Sequence, residues 1–244
     1  MGSNHPIHPG AAGAAGTRES LLRAAGEVFA ELGFRAATVR GICQRAGANI
    51  AAVNYHFRDK ETLYLEVLRY AEAMAVERHP VAPPAGAKIT PEDRLRFFVR
   101  SFLSRLLVQG PDAWAGKLLA MEMLDPTRVL DALVEERYRP LANYLDAMVR
   151  QIVGPAVEEE RVALCSGSVV SQCLFYHNYR SLVLRLDHHR TLDSADLDRL
   201  AAHISEFSLA ALRDLAGEAA ERGPGPSSTG PKAVAYPRPR GRRK

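Results

Sequence analysis

Residues 34–63, FRAATVRGICQRAGANIAAVNYHFRDKETL, decide how this chain folds. Thr38 is placed to cap a helix that runs to Ala46, and Gly47 is a turn residue able to take positive φ. A second short helix follows from Asn49 to His56. Phe57-Arg58-Asp59 then reads as a turn, and Asp59 caps a further helix from Lys60 to about Arg78. Val39, Ile42, Ala46 and Val53 supply the apolar contacts that fix two short helices steeply against a preceding one, the plan of a helix-turn-helix. The outer face of the second helix offers Asn49, Ile50, Ala51 and Asn54, side chains short enough to let a helix enter a major groove. Tyr55, His56 and Lys60 follow as donors suited to phosphate oxygens.

Working outward, Leu21, Leu22, Ala25, Val28, Phe29 and Leu32 recur at helical spacing behind Thr17, and Gly33 is a stop signal. Residues 80–91, PVAPPAGAKITP, form a Pro-rich linker. Beyond it the pattern predicts helices over about 91–108, 112–123, 127–153, 157–186 and 194–217. They are interrupted at Pro111, Pro126, Pro155 and the Asp187–Asp193 stretch, and Pro140 should kink the third of them or start a new segment. The expected fold is all-α with about nine helices. An N-terminal three-helix helix-turn-helix domain with its connecting helix spans 17–79, and a larger C-terminal helical bundle spans 91–218. Residues 1–16 and 219–244 are expected to be disordered.

The 244 residues carry 32 Lys+Arg against 28 Asp+Glu, a net charge of +4. Residues 221–244 alone hold seven basic groups and one acid, together with five Pro and four Gly. Residues 1–220 therefore hold 25 basic and 27 acidic groups and are slightly acidic. Bulk charge does not supply a nucleic-acid signal, so any specific binding must come from local groups: Arg40, Arg45, Arg58 and Lys60 beside Tyr55 and His56. The basic tail suits non-specific, salt-sensitive contact with phosphates or serves as a solubilising extension.

No apolar run reaches the length of a membrane-spanning helix, residues 1–16 lack the pattern of a secretory signal, and three cysteines are too few for a disulfide scaffold. A cytoplasmic location, with no membrane partner, is the expectation. Cys173 and His177 stand at i, i+4, but two ligands do not make a zinc site. Neither a phosphate-binding Gly-rich loop nor an HExxH or Gly-x-Ser-x-Gly motif occurs. No catalytic residues, metal site or cofactor are expected, and the chain is not read as an enzyme.

The segment 17–79 resembles the DNA-binding domain of the TetR family of transcriptional regulators. The likeness rests on Phe29, Gly33, Phe34, Thr38, Val39, Ile42, Ala46, Gly47 and the run Tyr55-His56-Phe57-x-x-Lys60-Glu61-x-Leu63. Arg139-Pro140-Leu141 and Val169–Tyr176 (VVSQCLFY) are similar to members with a CecR-type C-terminal domain. Two positions depart from the family pattern: many members carry an aromatic residue where Asn54 stands and an acidic one at Gly41.

The resemblance implies a double-stranded DNA operator as partner. Base-edge contacts fall to Arg40, Asn49, Ile50, Ala51 and Asn54, with Asn54 suited to adenine, Arg40 to guanine and Ile50 to a thymine methyl. Phosphate contacts fall to Thr38, Tyr55, His56 and Lys60. The family also implies a homodimer through the last two helices, where Ser166, Gly167, Ser168 and Ser171 would allow close approach. It implies a small apolar or amphipathic inducer in the bundle, met by Phe102, Trp114, Met121, Tyr138, Gln172, Tyr176, His177 and Arg180. The expected protein is a repressor that such a ligand releases from a palindromic operator. The alternative is a metal- or ligand-sensing helical protein whose response does not depend on operator release.

Overall fold

The computed structural model describes residues 11–107, 113–187 and 191–222, and among them every regular element is a helix. The elements are α1 (Ala11–Ala36), α2 (Val39–Ala46), α3 (Ile50–Phe57), α4 (Lys60–Arg78), α5 (Pro91–Leu107), α6 (Ala113–Leu124), α7 (Leu130–Leu133), α8 (Arg139–Val153), α9 (Glu159–Asn178), α10 (Arg180–Leu186) and α11 (Ser194–Arg222). A π-helical turn, Val134–Tyr138, joins α7 to α8.

Two ends differ from expectation. The first helix begins at Ala11 instead of Thr17, and the last runs to Arg222, so parts of both stretches read as disordered are helical. Residues 1–10 and 223–244, on which the rest of that reading falls, lie outside the described residues. Gly33 (φ 77°, ψ 164°) leaves helical geometry and ends the regular part of α1 as expected, and a short turn beyond this kink runs to Ala36.

Two separate cores result. The first gathers Leu21, Leu22, Val28 and Phe29 of α1, Ile42 of α2, Val53 and Phe57 of α3, and Leu63, Val67 and Leu68 of α4. It also takes Trp114 and Leu118 of α6 and Leu133 of α7. The second is built by α5, α8, α9 and α11 around Leu95, Phe98, Leu103, Met148, Val149, Val169, Cys173, Ile204 and Leu209. Helices α6 and α7 follow the linker in sequence, yet they pack on the helix-turn-helix end. The second half of the molecule is therefore divided between the two cores.

Pro140 explains the π turn. Proline lacks an N–H and its ring crowds the carbonyl four residues back, here Glu136, so a widened turn immediately before it relieves the clash. The expected kink is absorbed inside one continuous helical run from Leu130 to Val153. The single long helix expected over 157–186 is instead interrupted at Tyr179 (φ −107°, ψ 22°), where α9 gives way to α10. Helix α5 opens with a reciprocal cap: Asp93 N–H donates to Thr90 Oγ1 (3.0 Å) while the Thr90 hydroxyl donates to Asp93 Oδ2 (2.7 Å).

Candidate DNA-binding surface

The two short helices are held by their caps as well as by their cores. Thr38 Oγ1 accepts the Gly41 N–H at 3.1 Å and opens α2, a contribution of about 1 kcal/mol. Gly47 closes α2 in the left-handed region (φ 62°, ψ 28°), where a side chain would be strained. Asn49 Oδ1 accepts the Ala51 N–H at 3.1 Å and opens α3, which leaves the Asn49 amide nitrogen for other partners.

Helix α3 is anchored on its inner edge by Val53 and Phe57, 0% and 1% exposed. Its other edge is turned outward: Ile50, Ala51 and Asn54 are exposed, and Tyr55 is 83% exposed. Of the nine residues expected to meet DNA, seven are exposed: Thr38, Arg40, Asn49, Ile50, Ala51, Asn54 and Tyr55. They lie on α2, α3 and the two caps. His56 is half-buried, its ring edge against Tyr55 and tilted on Phe57. Lys60 is half-buried too. Its ammonium lies 4.7 Å from the Phe34 ring centroid and donates to the Arg35 carbonyl at 3.3 Å, tying the start of α4 to the end of α1.

The local basic set is smaller than the sequence suggested. Arg45 forks onto Glu31 (2.9 and 2.8 Å) and reaches Glu27 at 3.4 Å, so its charge is spent within the protein. Arg40 is exposed and no ion pair engages it among the described residues. Arg58 sits at φ 66°, ψ −56°, and the Asp59 N–H bonds the Phe57 carbonyl at 2.6 Å. That is a γ-turn of the strained hand, placed between α3 and α4. Asp59 Oδ1 then accepts the Thr62 N–H at 2.7 Å, and this bond first of all holds the carboxyl below its usual range.

Helix α4 leads away from this surface and carries polar links that sequence reasoning did not single out. The Tyr64 hydroxyl donates to Glu122 Oε2 on α6 at 2.9 Å, while Glu122 Oε1 accepts both the N–H (2.8 Å) and the hydroxyl (2.9 Å) of Thr127. Arg69 donates to Glu136 of the π turn at 2.7 Å. Glu72 faces Arg105 of α5 at 3.5 Å. The only signal for Glu122 in the sequence was a carboxylate inside the apolar run Leu119–Leu124 (LAMEML).

The residues expected to hold a ligand fall in several places. Trp114 and Met121 belong to the helix-turn-helix end, Trp114 stacked on Tyr70 and Met121 beside Gly33. Tyr138 packs on that core from the π turn, near Glu72 and Arg105, and burial above all pushes its phenol up to about 12. Phe102 stacks on Phe98 in the second core. Gln172 and Tyr176 line an open groove of about 320 Å³ between α9 and α11, together with Ser171, Phe175, His203 and Ile204. His177 Nδ1 meets the Leu106 carbonyl at 2.9 Å, and Arg180 reaches that of Leu107 at 3.5 Å. Cys173 is buried, and burial pushes its thiol up to about 12. Among the described residues no three His, Cys, Asp or Glu side chains are grouped to hold a metal ion, and no helix is long and apolar enough to cross a membrane.

A capped helix-turn-helix with an outward recognition edge, carried on a helical bundle, defines a DNA-binding transcriptional regulator. The family model for bacterial regulatory proteins of the tetR family matches residues 21–67, and the model for the C-terminal domain of the HTH-type transcriptional dual regulator CecR matches residues 91–212. The chain belongs to the TetR family, with a CecR-type C-terminal domain. It is 27% identical over 175 residues to the HTH-type transcriptional dual regulator CecR of Shigella flexneri, covering 68% of this chain and 78% of that one. It is 29% identical over 210 residues to the HTH-type transcriptional repressor NicS of Pseudomonas putida, covering 82% and 92%. The crystal structure of AibR in complex with isovaleryl coenzyme A and operator DNA superposes with a TM-score of 0.57 at 14% identity, over 78% of this chain and 97% of that one. At that identity the likeness is one of fold.

Proposed function

We propose that a cytoplasmic homodimer of this chain represses transcription by placing two α3 helices in successive major grooves of a palindromic operator, and that a small ligand taken up by the bundle releases it. The observation that carries this reading is the division of α3 into a locked inner edge, Val53 and Phe57, and an outer edge of Ile50, Ala51, Asn54 and Tyr55. Asn49, Asn54 and Arg40 read base edges, Ile50 and Ala51 meet them at close approach, and Thr38, Tyr55, His56 and Lys60 surround the phosphates.

Two half-sites roughly 34–36 Å apart require two copies. An uncovered apolar face supports the dimer: Leu164, Phe175, Tyr179 and Leu182 along α9 and α10, with Phe207 on α11, are between 45% and 63% exposed. Gly167, Ser168 and Ser171 lie exposed on the same α9, whereas Ser166 is buried inward. Repression is supported by the name of the NicS relative, and the binding of both a small ligand and operator DNA by a protein of similar fold that holds isovaleryl coenzyme A and operator DNA.

The test is a gel shift with DNA flanking the protein's own gene, beside sedimentation of the free protein. The reading expects a dimer and a sequence-specific shift that Tyr55→Ala abolishes. A monomer, or a wild-type protein that binds all sequences equally, contradicts it.

A further inference from the structure

Arg105 carries a buried and poorly satisfied charge. Its side chain is 6% exposed, yet its one ion pair, to Glu72, is stretched to 3.5 Å, and its Nε–H is buried with no hydrogen-bond partner among the described residues. Burial first of all pulls the guanidinium below the usual arginine range, and the facing charge of Glu72 only partly offsets this. A guanidinium carries five N–H donors in a planar fork built for a carboxylate or phosphate. A buried donor left empty is costly, and it is the kind of cost a ligand removes on binding.

Aromatic and titratable side chains surround Arg105. The Arg105 guanidinium lies 5.2 Å from the Phe102 ring centroid, and Tyr138 and His79 are both within its electrostatic reach. Tyr138 ends the π-helical turn, an irregularity that recurs at functional sites. Leu103 and Leu107, two residues either way along α5 and so on its opposite face, belong to the second core, whereas Tyr138 packs on the first. Arg105 therefore lies at the seam between the DNA-binding end and the bundle, and its partner Glu72 is on α4, the helix that follows α3.

We propose that the effector of this regulator is an amphipathic carboxylate whose anionic end is received by Arg105, in competition with Glu72. This rests on the ligand-release reading above and names the chemistry of its ligand. The incoming carboxylate accepts the Nε–H and an Nη–H together, a two-point bond stronger than the stretched contact it replaces. The apolar end lies against Phe102 and Tyr138. Glu72, 10% exposed, is then a buried carboxylate without its cation, which favours a position of α4 that lets it reach water. A ligand coupled in this way prefers the released arrangement over the DNA-binding one, as any effector must.

The experiment uses the full chain and four probes in matched pairs, hexanoate with hexanamide and phenylacetate with phenylacetamide. Thermal melting and operator affinity by fluorescence anisotropy are read for wild type, Arg105→Gln, Arg105→Lys and Glu72→Gln. The expected result is that at least one acid raises the melting temperature and weakens operator binding by about tenfold or more while its amide does neither. Arg105→Gln, which leaves Glu72 without its cation just as the acid does, binds the operator more weakly without ligand and loses the response to acid. Arg105→Lys keeps part of the response, and Glu72→Gln is stabilised at lower acid concentration while its operator affinity changes less than that of wild type. An amide that acts as well as its acid, an Arg105→Gln protein that responds like wild type, or silence of both acids overturns the proposal. Loss of specific operator binding by the unliganded wild type instead overturns the regulator reading beneath it.

Discussion

Tyr64 on α4 and Glu122 on α6 meet at 2.9 Å inside the core they share, and both are at least 98% buried. Burial first, and then the carboxylate beside it, push the Tyr64 phenol far above its usual range, so it remains a donor at every accessible pH. Because Glu122 also holds Thr127 at the end of α6, this contact fastens the helix leading from the recognition element to the second half of the chain. Tyr64→Phe strands Glu122 Oε2 in the core and should cost about 1–3 kcal/mol in chemical denaturation. A loss too small to resolve means that water takes the tyrosine's place and that the contact is not structural.

Trp114 is seated on α1 by the absence of a side chain. A Cβ at Gly26 would lie 2.2 Å from the indole ring, with two further ring atoms inside 3 Å. Gly26→Ala must displace the ring, an overpacking cost of about 1–3 kcal/mol. Trp114 is the sole tryptophan, so intrinsic fluorescence reports on it alone. The variant should melt lower with a red-shifted emission; an unchanged spectrum would show that α1 and α6 are not in contact as described.

Arg58 holds a positive φ that a side chain disfavours, at the joint between α3 and α4. Arg58→Gly relieves that strain and should stabilise the protein by about 1 kcal/mol, seen as a higher melting temperature. A lower melting temperature would contradict the γ-turn geometry.

Asp196 contributes to the acid limb of stability. Its carboxylate accepts the N–H groups of Thr191 (2.7 Å) and Leu192 (2.9 Å) and pairs with Arg199, and the Thr191 bond first of all holds its pKa well below the usual range. A depressed folded pKa gives stability that is fully present above the unfolded value of about 3.9 and is lost as pH falls toward the folded one. Urea midpoints between pH 6 and 3 should therefore fall more steeply for wild type than for Asp196→Asn. Parallel curves would remove Asp196 from the account.

Helix periodicity, caps and glycines made the N-terminal unit legible, because in it local preference and tertiary packing agree. Thr38, Gly47 and Asp59 do in the fold what their residue types predict. The bundle was legible only as helices. Nothing in the spacing of Trp114 or Leu133 says that α6 and α7 pack against α1 and α4, since that choice depends on which groove an apolar face fills. Arg45 looked like a DNA-facing charge because its partners Glu27 and Glu31 lie on another helix. Arg105, Glu72 and Glu122 escaped notice for the same reason: the burial of a charge is set by elements distant in sequence. Pro140 marked where the helix would change, but the form of that change, a π turn that relieves the carbonyl of Glu136, required the fold to be seen.

The central claim is that the outer edge of α3 reads DNA while its inner edge holds the fold, and the direct measurement is operator affinity of the Asn54→Ala/Tyr55→Ala protein beside its melting temperature. Both side chains are exposed, so melting should be unchanged. Specific affinity should fall about 100-fold or more, from the loss of a base contact and a phosphate contact, while affinity for unrelated DNA falls far less. Operator affinity within about threefold of wild type, with the fold intact, would contradict the account.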